Sequence, residues 1–307
     1  IGMTDTMRNT VYFAGVALLI IGTGFVQSWN SALFILNFGL ISAIMALGVN
    51  LQWGFAGLFN VGIMGFVALG GLATVLVAMP ATPGAWEAGG GPVIGALLMG
   101  AATVVAAGIV LRKTAAGWMR SVAVLLIIVV GFFVFRSLFD PAVAAIEKID
   151  PASTGYLGGL GLPVVVAWPV GGLLAAAVAW VIGKTALGLR SDYLAIATLG
   201  ISEIIIAVMK NEDWLARGVK NVAGLPRPAP YEVELQESAS FIERANSFGL
   251  DPVFASTIWV KLVYAGLFTV VLVILFILAQ RALHSPWGRM MRAIRDNEHA
   301  AEAMGKN

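Results

Sequence analysis

Three short stretches of this 307-residue sequence carry side chains able to do chemistry. The first is Asn50-Leu51-Gln52-Trp53-Gly54-Phe55-Ala56-Gly57-Leu58-Phe59-Asn60-Val61-Gly62, with Gly54 and Gly57 three residues apart and an amide at each flank, Asn50 and Asn60. Glycines so spaced permit a tight turn or a locally unwound helix, tolerated at membrane depth only where protein or a water-filled cavity surrounds the backbone. In such a cavity Asn50 and Asn60 offer amides to a polar solute. The same residues also fit a plain cytoplasmic hairpin with Asn and Gly as helix caps, and both readings stay open.

The second stretch runs from Leu189 to Glu203. Ser191 and Asp192 suit the start of a helix, where a hydroxyl or carboxylate meets unpaired N–H groups. Tyr193 follows, and Glu203 is the one acid inside an apolar run. Eleven residues of helix place it about 16 Å beyond Asp192, near mid-bilayer. An ionisable group there costs at least about 2.5 kcal/mol, so it must face a partner or a wet path. Glu203 is thus either a structural anchor or part of a solute route. The third stretch is the tail from Ser285 to Asn307. On a helical wheel Met290, Ile294, Ala301 and Met304 share one face, and Arg292, Arg295, His299 and Glu302 the other. That describes an amphipathic helix opened by Ser-Pro, lying on lipid headgroups or fitting a groove in a cytoplasmic partner.

Other chemistry has no residues to stand on. The sequence has no G-x-x-x-x-G-K-[ST], H-E-x-x-H or G-x-S-x-G pattern, no cysteine, and only two histidines, His284 and His299, both in the polar tail. No catalytic residue, metal site or cofactor is expected. The net charge of +2 gives no reason to expect nucleic acid.

The elements that position these stretches are membrane spans. Of the residues, 59% are hydrophobic and 12% charged, and the mean hydropathy is +0.89. The apolar residues form blocks of the roughly 20 residues a helix needs to cross hydrocarbon, and nothing alternates like a barrel strand. The fold class is therefore all-α, a polytopic helical bundle of about eight spans, over Val11–Val26, Ala32–Leu51, Leu58–Met79, Val93–Leu111, Val122–Phe139, Val164–Gly183, Tyr193–Met209 and Ile258–Gln280. The first reads as a span rather than a cleaved leader. Trp29, Trp86, Trp168 and Trp259 fall near span ends, where indoles favour the interface.

With a cytoplasmic N-terminus, the inner loops carry Arg112, Lys113 and Arg120, then Lys184 and Arg190, then the arginine-rich tail. The opposite loops carry Glu87, then Asp140, Glu147 and Asp150, and all short loops agree with the positive-inside rule. Residues 1–280 form the membrane domain, with 210–257 an extracytoplasmic loop, and 281–307 a cytoplasmic segment. In the loop, Glu232 to Arg244 has the pattern of one short surface helix. The loop is a cap over the outer face or a docking surface for an external partner.

The tail Ser285-Pro-Trp-Gly-Arg-Met-Met-Arg-Ala-Ile-Arg-Asp-Asn-Glu-His-Ala-Ala-Glu-Ala-Met-Gly305 closely resembles the cytoplasmic coupling segment of branched-chain amino acid ABC importer permeases of the LivM type. Leu189 to Gly200 with Glu203, and Asn50 to Gly62, resemble two further signatures of that family, in the same order. The resemblance implies a permease in the bacterial inner membrane. Its partners would be a second related permease, two ATP-binding subunits and a periplasmic substrate-binding protein. It implies that Arg292 to Gly305 form a coupling helix, with Arg289, Arg292, Arg295, Glu298, Glu302 and Gly305 meeting an ATPase. It also implies that Asn50, Gly54, Gly57, Asn60, Tyr193 and Glu203 lie near the substrate pathway, and that the long outer loop meets the binding protein.

Three departures stand out. Ile206 takes the place of an arginine found in many relatives, Val122–Phe139 is an additional span, and family members continue beyond the coupling segment, so further C-terminal spans are expected. The motifs report coupling and not cargo, which leaves urea or short amides beside amino acids. A secondary transporter using Glu203 is the rival from another class, and an intramembrane enzyme a distant third.

Overall fold

The computed structural model describes residues 4–151, 154–186, 188–297, 301 and 305. In chain order the helices are α1 (Asp5–Val26), α2 (Trp29–Val49), α3 (Ile63–Ala78), α4 (Pro83–Ala85), α5 (Gly91–Lys113), α6 (Trp118–Glu147), α7 (Val164–Ala186), α8 (Ser191–Asn211), α9 (Asp213–Ala216), α10 (Glu232–Glu237), α11 (Ala239–Ser247), α12 (Pro252–His284) and α13 (Pro286–Asp296). Among the described residues the only β pairing is an isolated bridge between Ala81 and Gly158. Among the described residues, seven helices of 20 to 33 residues are long and apolar enough to cross a membrane. The chain is an all-α, multi-pass membrane protein, as its apolar blocks predict.

The expected third span, Leu58–Met79, is helical only over the 16 residues of α3. Its C-terminal carbonyls are taken by a returning loop: the N–H groups of Leu160, Leu162 and Gly161 donate to the carbonyls of Leu76, Val77 and Met79 at 3.0, 2.9 and 2.8 Å. A helix end leaves four carbonyls unpaired, and a loop that satisfies them lets the helix stop while still surrounded by protein. Gly158 and Gly161 have φ of 76° and 67°, and a Cβ on Gly158 would overlap the Pro80 carbonyl, so glycine is required for this return.

The residues group into two compact units. One comprises Ile1–Val61, Leu189–Ile196 and Arg227–Asn307. In it α2 packs against α1 and α12. Lys261 of α12 donates from Nζ to the Asn30 carbonyl at 3.1 Å and to Asn30 Oδ1, and Asn37 Nδ2 donates to the Lys261 carbonyl at 3.0 Å. The surface helix expected over Glu232 to Arg244 is broken into α10 and α11 at Ser238, whose backbone is extended (φ −76°, ψ 111°). At the break the Ser238 hydroxyl pairs with Ser240 Oγ at 3.1 Å. The break lets Gln236 donate to the fully buried Ser256 Oγ of α12 at 2.9 Å. Asp251 then caps α12 by accepting from the N–H groups of Val253 and Phe254, both at 3.1 Å.

The other unit comprises Gly62–Gly188 and Ala197–Pro226. Here α5 packs on α6 and α3 on α7. Gly100 and Gly131 receive Phe135 and Thr103 across the first pair, and Gly171 meets Ala73 and Gly70 across the second. Close approach through small residues is what holds helices together where water gives no drive. At one end Ala85, Val93, Ala142, Ile146, Leu157 and Trp214 make a core, with Phe139 edge-on to Trp214 at 5.7 Å. Most remaining apolar side chains of the spans are outward-facing, and such surfaces are suited to lipid or to other membrane helices.

Candidate functional site

Asn50 to Asn60 forms a compact turn at the end of α2. The α-helix gives way at Asn50 to a π-helical segment, Asn50–Phe55, a widened turn often found at functional positions. Ala56 N–H reaches back five residues to the Leu51 carbonyl at 3.2 Å, and Leu58 N–H reaches the Gln52 carbonyl at 3.0 Å. The chain reverses at Gly57, whose φ is 72°. Asn60 Nδ2 donates to Gln52 Oε1 at 2.8 Å, closing the turn, and Trp53 meets Phe59 edge-on at 4.7 Å.

The two amides of this stretch therefore differ. Asn60 is half-buried and holds the turn together. Asn50 is exposed, its side chain without a hydrogen-bond partner among the described residues, and its Oδ1 lies over Gly54, where a Cβ would overlap it. Asn50 and Gly54 line an open groove of about 540 Å³ with Ala46, Val49 and Trp53. Only one of the two asparagines is thus available to a solute there.

The tail helix meets the same turn. Ser285 caps α13 by accepting from Gly288 N–H at 3.4 Å, and Pro286 takes the first helical position. Gly288 is buried against α12, since a Cβ there would overlap the Leu283 carbonyl. Arg289 Nη1 donates to the His284 carbonyl at 3.1 Å, and Arg292 Nη2 to the Leu283 carbonyl at 3.0 Å. Both arginines satisfy carbonyls left over at the C-terminus of α12, where positive charge is also favoured. The Ser-Pro-Trp-Gly-Arg run thus encodes an elbow: cap, first-turn proline, close approach and carbonyl donor.

Arg295 goes elsewhere. Its Nη1 donates to the Gly54 carbonyl at 2.6 Å, while Nε and Nη2 hold Asp296 Oδ1 at 2.9 and 2.7 Å. Its stem lies where a Cβ on Gly57 would be. All of this lies within the first unit.

The continuous helix expected from Arg292 to Gly305 is not formed. The helix ends at Asp296, and Asn297 is extended (φ −161°, ψ 101°). Asparagine favours caps over helix interiors, so the wheel drawn beyond Asp296 loses its register at that residue. Ala301 is buried and Gly305 has a left-handed backbone (φ 71°). Glu298 and Glu302, with His299 and Met304, lie outside the described residues.

Tyr193 is exposed on the first turn of α8, in the part of that helix belonging to the first unit. Glu203 belongs to the second. It is exposed there, with no hydrogen-bond or ion-pair partner among the described residues. The reason lies one residue away. Thr198 and Ser202 are buried (5% and 3% exposed) against α3, where Ser202 Oγ accepts from Gly65 N–H at 2.8 Å and Gly62 lies on the Thr198 carbonyl. One further residue turns Glu203 about 100° away from that contact.

Thr198, Ser202 and Lys261 are residues whose importance sequence reasoning missed. The signal was present for the first two: small residues at i and i+4 on α8 match glycines at i and i+3 before and in α3. Lys261 stood inside an apolar run, where a cation needs a reason.

A family model described as branched-chain amino acid transport system / permease component matches residues 142–307. The high-affinity branched-chain amino acid transport system permease protein LivM of Escherichia coli (strain K12) is 32% identical over 146 residues, 45% of this chain and 32% of that protein. The protein of the same name from Salmonella typhimurium (strain LT2) is 31% identical over the same share of each. The match spans about a third of the length of these relatives. No solved structure matches the chain.

Proposed function

Since the chain belongs to the family of permease components of branched-chain amino acid transport systems, we propose that it is the membrane-spanning subunit of an ATP-driven importer of branched-chain or other amino acids. It sits in the bacterial inner membrane with its N-terminus in the cytoplasm. A second related permease completes the pathway, two ATP-binding subunits hydrolyse the nucleotide, and a periplasmic substrate-binding protein delivers the cargo to the outer loop. Within the first unit Asn50, at the open groove beside Gly54, and the exposed Tyr193 belong to the solute route, and Glu203 of the second unit is a separate candidate for it.

One observation carries this reading: α13 is braced rigidly on the end of α12 and bonded to the polar turn of Asn50–Asn60. A short helix so held can transmit motion from a cytoplasmic partner to the spans as a rigid body. Its outward face, with Arg289, Ala293 and Asp296, is the surface available to an ATPase. Arg289 remains exposed while bonded to His284, which suits a role at that contact.

The test is ATP hydrolysis by the full-length protein reconstituted with candidate ATPases, second permease and binding protein. Loaded binding protein should stimulate hydrolysis several-fold, and deletion of α13 should abolish assembly with the ATPases. Assembly that survives the deletion would remove α13 from the docking site. Ion-coupled transport is supported by one feature alone, the unpartnered carboxylate of Glu203. It requires uptake without ATPases.

A further inference from the structure

We propose that Arg295 is the positioning residue that ties α13 to the π-helical end of α2, so that a displacement of α13 is delivered to the groove beside Asn50. This rests on the importer reading for its functional meaning but on local geometry for the contact itself. The guanidinium is divided between two tasks. Asp296 takes one edge through Nε and Nη2, which fixes the plane of the group, and Nη1 is left to donate to the Gly54 carbonyl at 2.6 Å. A planar fork can do this and a lysine ammonium on a flexible stem cannot.

The acceptor is equally specific. In a regular helix the Gly54 carbonyl would receive Leu58 N–H, but that donor goes to Gln52. The widened turn thus frees a carbonyl and points it at the tail. Gly57 completes the fit twice over. Its left-handed backbone reverses the chain, and its lack of a side chain leaves room for the Arg295 stem.

The lever arm decides whether motion must be transmitted. Arg295 stands ten residues beyond the Ser285 cap, about 15 Å along the helix axis. A tilt of α13 by about 10° about that elbow would carry Arg295 about 2.6 Å, far beyond what a hydrogen bond tolerates. The turn must follow or the bond must break. Arg289 and Arg292 act differently: both bond α12 carbonyls near the pivot, so they brace the elbow and convey no motion to α2.

The experiment uses the full-length protein in lipid nanodiscs and the whole transporter in proteoliposomes. Hydrogen exchange of the Asn50–Gly62 segment is compared in the parent protein, Arg295→Ala, Arg295→Lys and Gly57→Ala. Exchange should rise about tenfold in all three variants, the scale of one charge-assisted hydrogen bond, while the hydrogen bond from Asn60 to Gln52 is monitored through the Asn60 side-chain amide. Arg244→Ala, whose side chain bonds only the Ser240 carbonyl among the described residues, should leave the segment within about twofold of the parent. In proteoliposomes Arg295→Ala and Gly57→Ala should raise the ATP consumed per solute imported several-fold. Unchanged exchange in Arg295→Ala overturns the contact. Raised exchange with unchanged coupling makes Arg295 a structural brace and overturns the role proposed for it. If the parent transporter imports without ATP, the importer reading and the coupling role fall together, and the exchange result still reports separately on the contact.

Discussion

Gly62 and Gly200 should respond to the same substitution with opposite sign. A Cβ on Gly62 would overlap the Thr198 carbonyl oxygen and lie 2.9 Å from its carbon and 3.2 Å from Ser202 Cβ. Backbone atoms of a helix cannot rotate aside, so Gly62→Ala must push α3 away from α8 or distort the α3 start. Overpacking of this kind costs about 1–3 kcal/mol, and the shift also strains the 2.8 Å bond from Gly65 N–H to Ser202. Gly200 lies on the same helix as Ser202, helical and with nothing within 4 Å of its would-be Cβ. Gly200→Ala should therefore gain the helix preference of alanine, about 1 kcal/mol. The assay is thermal unfolding in detergent followed by tryptophan fluorescence, read as apparent midpoints at one scan rate. Gly62→Ala should melt several degrees below the parent and Gly200→Ala at or above it. If both shift together, or if Gly62→Ala is neutral, the close packing of α3 on Thr198 and Ser202 is refuted.

Three further outcomes are expected. Gly288→Ala should open the α12–α13 elbow, because a Cβ there would lie 2.6 Å from both Leu283 C and Cα, and limited proteolysis should then cleave between Leu283 and Asp296 faster than in the parent. Asn50→Ala should lower uptake with little change in melting, since its amide holds nothing else, whereas Asn60→Ala should loosen the turn by about 1 kcal/mol through loss of the Gln52 bond. Burial raises the pKa of Tyr156 above its ordinary 10.0, with the nearby Arg217 opposing in part. The folded protein holds that proton more tightly than the unfolded chain, so the contribution is intact below pH 10 and is lost as pH rises through the folded value. Tyr156→Phe should flatten the fall in melting temperature above about pH 10, seen in a pH series of unfolding scans.

The spans were legible because lipid imposes one rule, continuous apolar helix, that a sequence displays directly. Even so, α3 ends early, because its final carbonyls are satisfied by residues 160–162, a pairing across more than 80 positions that no local pattern announces. The Ser285-Pro286 start of α13 was legible for the opposite reason, since cap and first-turn proline are local chemistry. Its end was misjudged because the wheel ran through Asn297, a residue that prefers to stop a helix. The roles of the three arginines were hidden as well. Arg289, Arg292 and Arg295 look alike on a charged face, yet each finds a different backbone carbonyl, and only the fold fixes which. Glu203 drew notice as a charge in an apolar run, while the buried neighbours Thr198 and Ser202 pass in sequence for ordinary small residues.

The proposed importer role requires that solute transport take its energy from partner ATPases. Uptake of labelled leucine into proteoliposomes holding the full-length protein and its partner subunits tests it most directly, with ATP inside and binding protein outside. Uptake should require ATP, both ATPases and the binding protein, and should persist when a protonophore collapses the proton gradient. Uptake by the permease alone, driven by a proton gradient and abolished by Glu203→Gln, would contradict it.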